Sequence, residues 1–188
     1  NVDILSDDFL TWTEKNFNDQ IDNALKQTLE NETLLKNDFN INDVLQYFGL
    51  GCRNVTKVFL PVGFEFKPLF DVWEQHFADT LFHNKYANNY DYNRAIYLLN
   101  QEKFWDNNFV MLKEDDALFS PLSVLNFSRY ENMEDVKLFL NENETDIQCV
   151  VAKPELEISD SIYFGEAQNP NLNTYADNVD TMRFLEVI

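Results

Sequence analysis

Gly49-Leu50-Gly51-Cys52-Arg53-Asn54-Val55-Thr56-Lys57-Val58-Phe59-Leu60-Pro61 is the stretch on which the fold turns. Its first half interrupts regular structure with two glycines just before a cysteine. Its second half, Val55 to Leu60, is β-branched and apolar, and Pro61, which has no N–H for a ladder, stops it. A strand entered from a glycine turn is therefore expected here. Upstream, Asn42 to Phe48 reads as a short helix. Downstream, Phe66, Leu69, Phe70, Trp73 and Phe77 recur at helical spacing and predict a helix over 66–82.

Further out, His83 to Asn93 is dense in Asn and Tyr and reads as a polar loop leading into Ala95-Ile96-Tyr97-Leu98-Leu99. Strands are expected at Phe109–Leu112 and Leu122–Phe127, with the acidic loop Glu114-Asp115-Asp116 between them. Met133, Val136, Leu138, Phe139 and Leu140 mark a helix, and Ile147–Val151 a further strand. Phe17, Ile21, Leu25 and Leu29 predict a helix over 13–36, with Thr13 as its N-cap. Strands alternating with helices point to an α/β fold with a mixed, largely parallel sheet.

The 188 residues carry 14 Lys+Arg against 33 Asp+Glu, a formal charge of −19. Such a surface repels phosphate backbones and anionic headgroups, which argues against nucleic acid or a membrane surface as partner. A hydrophobic content of 45% with 15% aromatics supplies a packed core and argues against disorder. No apolar run approaches the ~20 residues of a membrane span and no basic-plus-apolar leader is present, so a reduced, cytoplasmic chain is expected. Cys52 and Cys149 sit in differently built segments and do not read as a disulfide framework. Two histidines and two cysteines without short ligand spacing do not make a zinc centre.

Cys52 has two readings on residue type. Flanking glycine lets a substrate approach the backbone, and nearby N–H groups can stabilise a thiolate and the oxyanion formed when it attacks a carbonyl. Arg53 adds local positive charge. The other reading is a small buried thiol beside a turn. Cys149, inside the apolar run Ile147–Val151, reads as core. His83 could act as a base or proton donor, or could simply sit in a loop of turn-capping side chains.

Four blocks occur in order: YFGLGCRNVTKVFLP (47–61), HNKYANNYDYN (83–93), LKEDDALFSPLSVL (112–125) and YADNVDTMRFL (175–185). The first resembles the catalytic-cysteine segment of the aldehyde dehydrogenase superfamily. Together they resemble LuxC-type acyl-CoA reductases over roughly residues 43 to 188. The resemblance implies an aldehyde dehydrogenase-like catalytic domain over 42–188, following an N-terminal helical segment over 1–41. It implies an enzyme that reduces a fatty acyl-CoA or other acyl thioester, with a long chain, to the aldehyde. Cys52 would take the acyl group as a covalent thioester, and hydride from NADPH or NADH would release the product. Backbone N–H groups near Cys52 and the Asn54 side chain would supply oxyanion donors.

Aligning Phe119-Ser120-Pro121 on the family's Phe-x-Pro turn puts Ala117 where the family holds a ribose-binding glutamate. That leaves Asp116, with Phe119, as the candidates for cofactor contact. By analogy, Phe164–Gln168 and Tyr175–Thr181 flank an acyl channel or a homo-oligomer interface. The alternative is that Tyr175, Val179, Met182 and Leu185 pack a last helical segment. No Gly-x-Gly-x-x-Gly turn precedes Cys52, so the nicotinamide domain is expected outside this chain, with a join near residues 36–41. The competing reading is a non-catalytic acidic α/β interaction or oligomerisation module in which Cys52 is a structural thiol.

Overall fold

The glycine turn does lead into a strand, β1 (Lys57–Pro61). The computed structural model describes residues 40–172, 174–175 and 179–186, apart from the side chains of 75–79; the helix expected over 13–36 lies outside them. Before β1 come α1 (Asn42–Leu45) and a 3₁₀ turn, Gln46–Gly49. After it come α2 (Phe66–Phe77), its 3₁₀ continuation Ala78–Phe82, α3 (Asn84–Leu99), β2 (Phe104–Asp106) and β3 (Met111–Glu114). β4 (Val124–Tyr130), α4 (Met133–Glu142) and α5 (Thr181–Glu186) complete the order.

The four strands form one sheet in the order β1-β4-β3-β2. β1 and β3 both run parallel to β4, and β2 closes the far edge antiparallel to β3. The molecule is thus mixed α/β with a mostly parallel sheet flanked by helices. β4 lies inside the sheet, and Val124, Leu125, Asn126 and Phe127 are all buried, as a parallel strand covered on both faces requires. Alternation along the strands sorts the two faces. Leu60, Leu112, Leu125 and Phe127 pack against Phe66, Leu69 and Trp73 of α2. On the other face Met111 and Val124 meet Tyr90 and Tyr97 of α3.

Toward the β1 end that second face carries Lys57, Phe59, Asn126 and Ser128, which the register places side by side. α4 approaches it through Phe139, whose ring lies 5.1 Å from that of Phe59. The loop after β3 is pinned over the face by Asn126, whose Nδ2 donates to the carbonyls of Ala117 (3.1 Å) and Phe119 (3.2 Å). Thr56 Oγ1 donates to Leu118 O at 2.9 Å.

Four expectations are corrected. The His83–Asn93 stretch is the first half of α3, not a loop. Its buried stripe is Tyr86, Tyr90, Asn93 and Tyr97, at i, i+4, i+7 and i+11, and the polar tips of the first three find hydrogen-bond partners. Ile147–Val151 forms no strand; it contributes one isolated bridge, Val151 to Ile162. β3 begins at Met111, because the Asn107 side chain accepts the N–H groups of Phe109 and Val110 in a turn. Val179, Met182 and Leu185 are exposed, so they do not pack a last segment. No helix among the described residues is long and apolar enough to cross a membrane.

Candidate active site

Cys52 sits in a turn closed by Asn54 N–H donating to Gly51 O at 3.0 Å. The Asn54 side chain locks the turn: Oδ1 accepts from Gly51 N–H at 2.5 Å, and Nδ2 donates to Val44 O (3.0 Å) and Asp43 O (3.2 Å). A Cβ on residue 51 would stand 2.7 Å from Asn54 Oδ1, so the close approach demands glycine. Asn54 is therefore a clamp between the turn and α1. Its amide N–H groups are engaged with backbone carbonyls, and the structure gives it no geometry as an oxyanion donor.

The backbone enters this turn under strain. Tyr47 (φ 55°) and Phe48 (φ 59°) are left-handed, followed by Gly49 at φ 74°. Each of the two non-glycine residues carries about 1–2 kcal/mol for that conformation. Strain of this kind collects at functional sites. Phe48 is held by stacking on His83, with ring centroids 3.9 Å apart.

The Cys52 thiol is exposed and lies on the wall of a cavity of about 650 Å³. The cavity runs between β1 and the chain from α4 to Phe164. Phe59, Met133, Val136, Leu140, Ile147 and Ile158 give it apolar walls. Its volume lies within the usual range of small-molecule sites. Cys149 faces the same cavity; burial raises its thiol pKa, opposed by the Arg53 charge, which disfavours its thiolate. It is half-buried in an irregular segment rather than in a core strand.

Asp43 is buried at the inner end. Its carboxylate accepts from Gly165 N–H (2.7 Å) and Ala167 N–H (3.1 Å), tying the turn to the chain 122 and 124 residues on. Burial raises its carboxyl pKa, and those two N–H bonds pull it back down. Gly165 reaches this position at φ +88°, where a Cβ would also stand 2.5 Å from Asn40 Nδ2.

His83 is half-buried, with Nδ1 lacking a hydrogen-bond partner, and it does not line the cavity that Cys52 faces. Asp116 accepts from Ser128 Oγ at 2.9 Å, and Phe119 is exposed on the cavity rim. Lys57 Nζ donates to Ser128 Oγ and to Asp115 O, both at 2.7 Å, above the rings of Phe59 and Phe139. Burial lowers its pKa, against the Asp116 and Asp115 charges.

The structure therefore brings Cys52, Asn54 and Phe119 to one cavity, with Asp116 beside it and His83 apart. No family model, curated protein or solved structure matches the chain. Sequence reasoning missed Asp43, read Arg53 only as a local charge, and read Lys57 only as part of a strand. The one available signal for Lys57 was its apolar setting, Val55 to Leu60, where a cation is out of place.

Proposed function

We propose that this chain forms the acyl-accepting part of an acyl-CoA reductase, with Cys52 as the nucleophile. One observation carries the reading: an exposed thiol in a glycine turn opens directly onto an apolar cavity large enough for an acyl chain. The Cys52 sulfur, losing its proton, would bond to the thioester carbonyl carbon. The carbon–sulfur bond to coenzyme A would break, and the coenzyme thiol would leave with that proton. The acyl chain would lie along Phe59, Met133 and Leu140.

NADPH or NADH would supply the hydride that releases the aldehyde. Asp116 and Phe119 offer that cofactor one carboxylate and one exposed ring, enough for a ribose contact. A glycine-rich phosphate turn between strand and helix is not found among the described residues. This fit supports an acyl-acceptor role more than a complete hydride-transfer site.

Intact-mass analysis after incubation with a long-chain acyl-CoA tests the reading. A single acyl adduct that maps to Cys52, and is lost in Cys52→Ala, is expected. An unmodified chain, or an adduct on Cys149, refutes it. A second reading, a non-catalytic acidic interaction or oligomerisation module, is favoured by the placement of His83 away from the Cys52 cavity and the engagement of Asn54 with backbone. Under it Cys52 remains unacylated and reacts no faster than a free peptide thiol.

A further inference from the structure

Arg53 follows Cys52 in sequence, but it is buried where Cys52 is exposed. It is 8% exposed and lines the cavity, near enough to the Cys149 thiol for its charge to oppose the rise in that thiol's pKa. Arg94 pairs with Asp106 at 2.8 Å, and Arg129 donates to Phe64 O while lying over Phe66 and Phe127. The Arg53 guanidinium has no ion pair, hydrogen bond or ring contact among the described residues. A chain with 33 acidic residues does not leave a guanidinium unpaired for want of carboxylates.

Burying such a group is costly, because arginine cannot shed its proton to escape the penalty. The two carboxylates that line the same cavity, Asp43 and Asp146, make no ion pair with it. The Asp43 oxygens face Gly165 and Ala167 N–H instead. Lys57 is held by Asp115 O and Ser128 Oγ. What remains is a planar fork of donors in a cavity with a large apolar share of wall, Val58, Phe59, Val136, Leu140 and Ile158 among it. That arrangement suits a monoanion with a matching planar group and an apolar body. Inorganic phosphate has no tail to cover the apolar part of the wall.

We propose that Arg53 anchors the carboxylate of a free fatty acid whose tail occupies the apolar part of the cavity. The acid would share this cavity with the acyl thioester and exclude it. The inference does not use the Cys52 sulfur, so it stands or falls separately from the acylation chemistry.

Titration calorimetry of the 188-residue chain with dodecanoate and with dodecan-1-ol, below their aggregation concentrations, tests it. The acid is expected to bind one to one and at least roughly tenfold tighter than the alcohol. Arg53→Met should reduce the acid to the affinity of the alcohol, while Arg53→Lys retains part of the difference. Neither ligand is a thioester, so the comparison reads the same whether or not Cys52 is ever acylated. Equal binding of acid and alcohol to the wild type overturns the proposal, as does wild-type affinity for the acid in Arg53→Met. Displacement of dodecanoate by millimolar inorganic phosphate overturns the choice of a carboxylate. The acid–alcohol comparison needs no variant, so it decides the matter even if Arg53→Met does not fold.

Discussion

Removing the Asp43 carboxylate should loosen the candidate site more than any other single polar change. Asp43 is 3% exposed, and its two oxygens accept the N–H groups of Gly165 and Ala167, the latter in a fully buried residue. In Asp43→Ala both N–H groups lose their acceptor inside the protein. A stranded buried donor costs about 1–3 kcal/mol, and relief of the buried charge offsets part of the sum, so a net loss of about 2–4 kcal/mol is expected. For a chain of this size that corresponds to a Tm lower by roughly 5–15 °C. Asp43→Asn keeps one acceptor oxygen and should lose about 1 kcal/mol.

Urea unfolding followed by circular dichroism measures both variants, and its pH dependence supplies a second check. Because the folded pKa of Asp43 lies above the unfolded value, the folded state holds the proton more tightly. That contribution to stability is complete below the ordinary carboxylate range and is lost as pH rises through the raised folded pKa. Asp43→Asn lacks this term, so its deficit relative to wild type should shrink as pH rises through that window. An Asp43→Ala variant within about 0.5 kcal/mol of wild type would refute the clamp, that being the scatter of ordinary surface changes.

Gly51→Ala should destabilise by about 1–3 kcal/mol, since its Cβ would press on Asn54 Oδ1 at 2.7 Å; thermal melting checks this. Tyr47 is exposed and left-handed, so Tyr47→Gly should stabilise the chain by about 0.5–1 kcal/mol in urea unfolding, strain relief exceeding the added chain entropy. Tyr86 donates to Phe109 O at 2.8 Å in full burial, and Tyr86→Phe should cost about 1–2 kcal/mol by leaving that carbonyl unpaired. Iodoacetamide near neutral pH should label Cys52 well before Cys149, whose thiol burial holds in the protonated form; peptide mapping that finds Cys149 labelled first would reverse the assignment.

The sheet was legible where side-chain pattern and burial agree. Val55–Leu60 and the Leu122–Phe127 run announce β1 and β4, and the Phe66–Trp73 spacing announces α2, because aliphatic and aromatic side chains there pack into one apolar core. α3 was hidden because its inward stripe is built from tyrosines and Asn93. Their polarity reads as loop until the Phe109 carbonyl, the Asp106 carboxylate and the Leu122 carbonyl are seen to receive them. Ile147–Val151 misled in the opposite sense: an apolar run becomes a strand only if a ladder partner lies alongside, and one bridge is all it finds.

The thiol turn could be found from its glycines, whereas the roles of its neighbours could not. Asn54 looks like a donor waiting for a substrate, yet its partners lie ten and eleven residues upstream. The burial of Arg53 depends on a wall supplied by residues nearly a hundred positions later, which no local pattern encodes.

The parallel pairing of β1 with β4 sets an order of events in folding. Lys57 must wait for Ser128, 71 residues further along, before its ammonium finds that partner and its strand gains a ladder. Loop closure of that length is slow relative to helix formation, so α2 and α3 can form while β1 still lacks its neighbour. On the ribosome the thiol turn therefore emerges well before the strand that seats it. The cavity in front of Cys52 is accordingly assembled late, by the arrival of β4 and α4, and a chain stalled before residue 124 would present the Cys52 turn without that cavity.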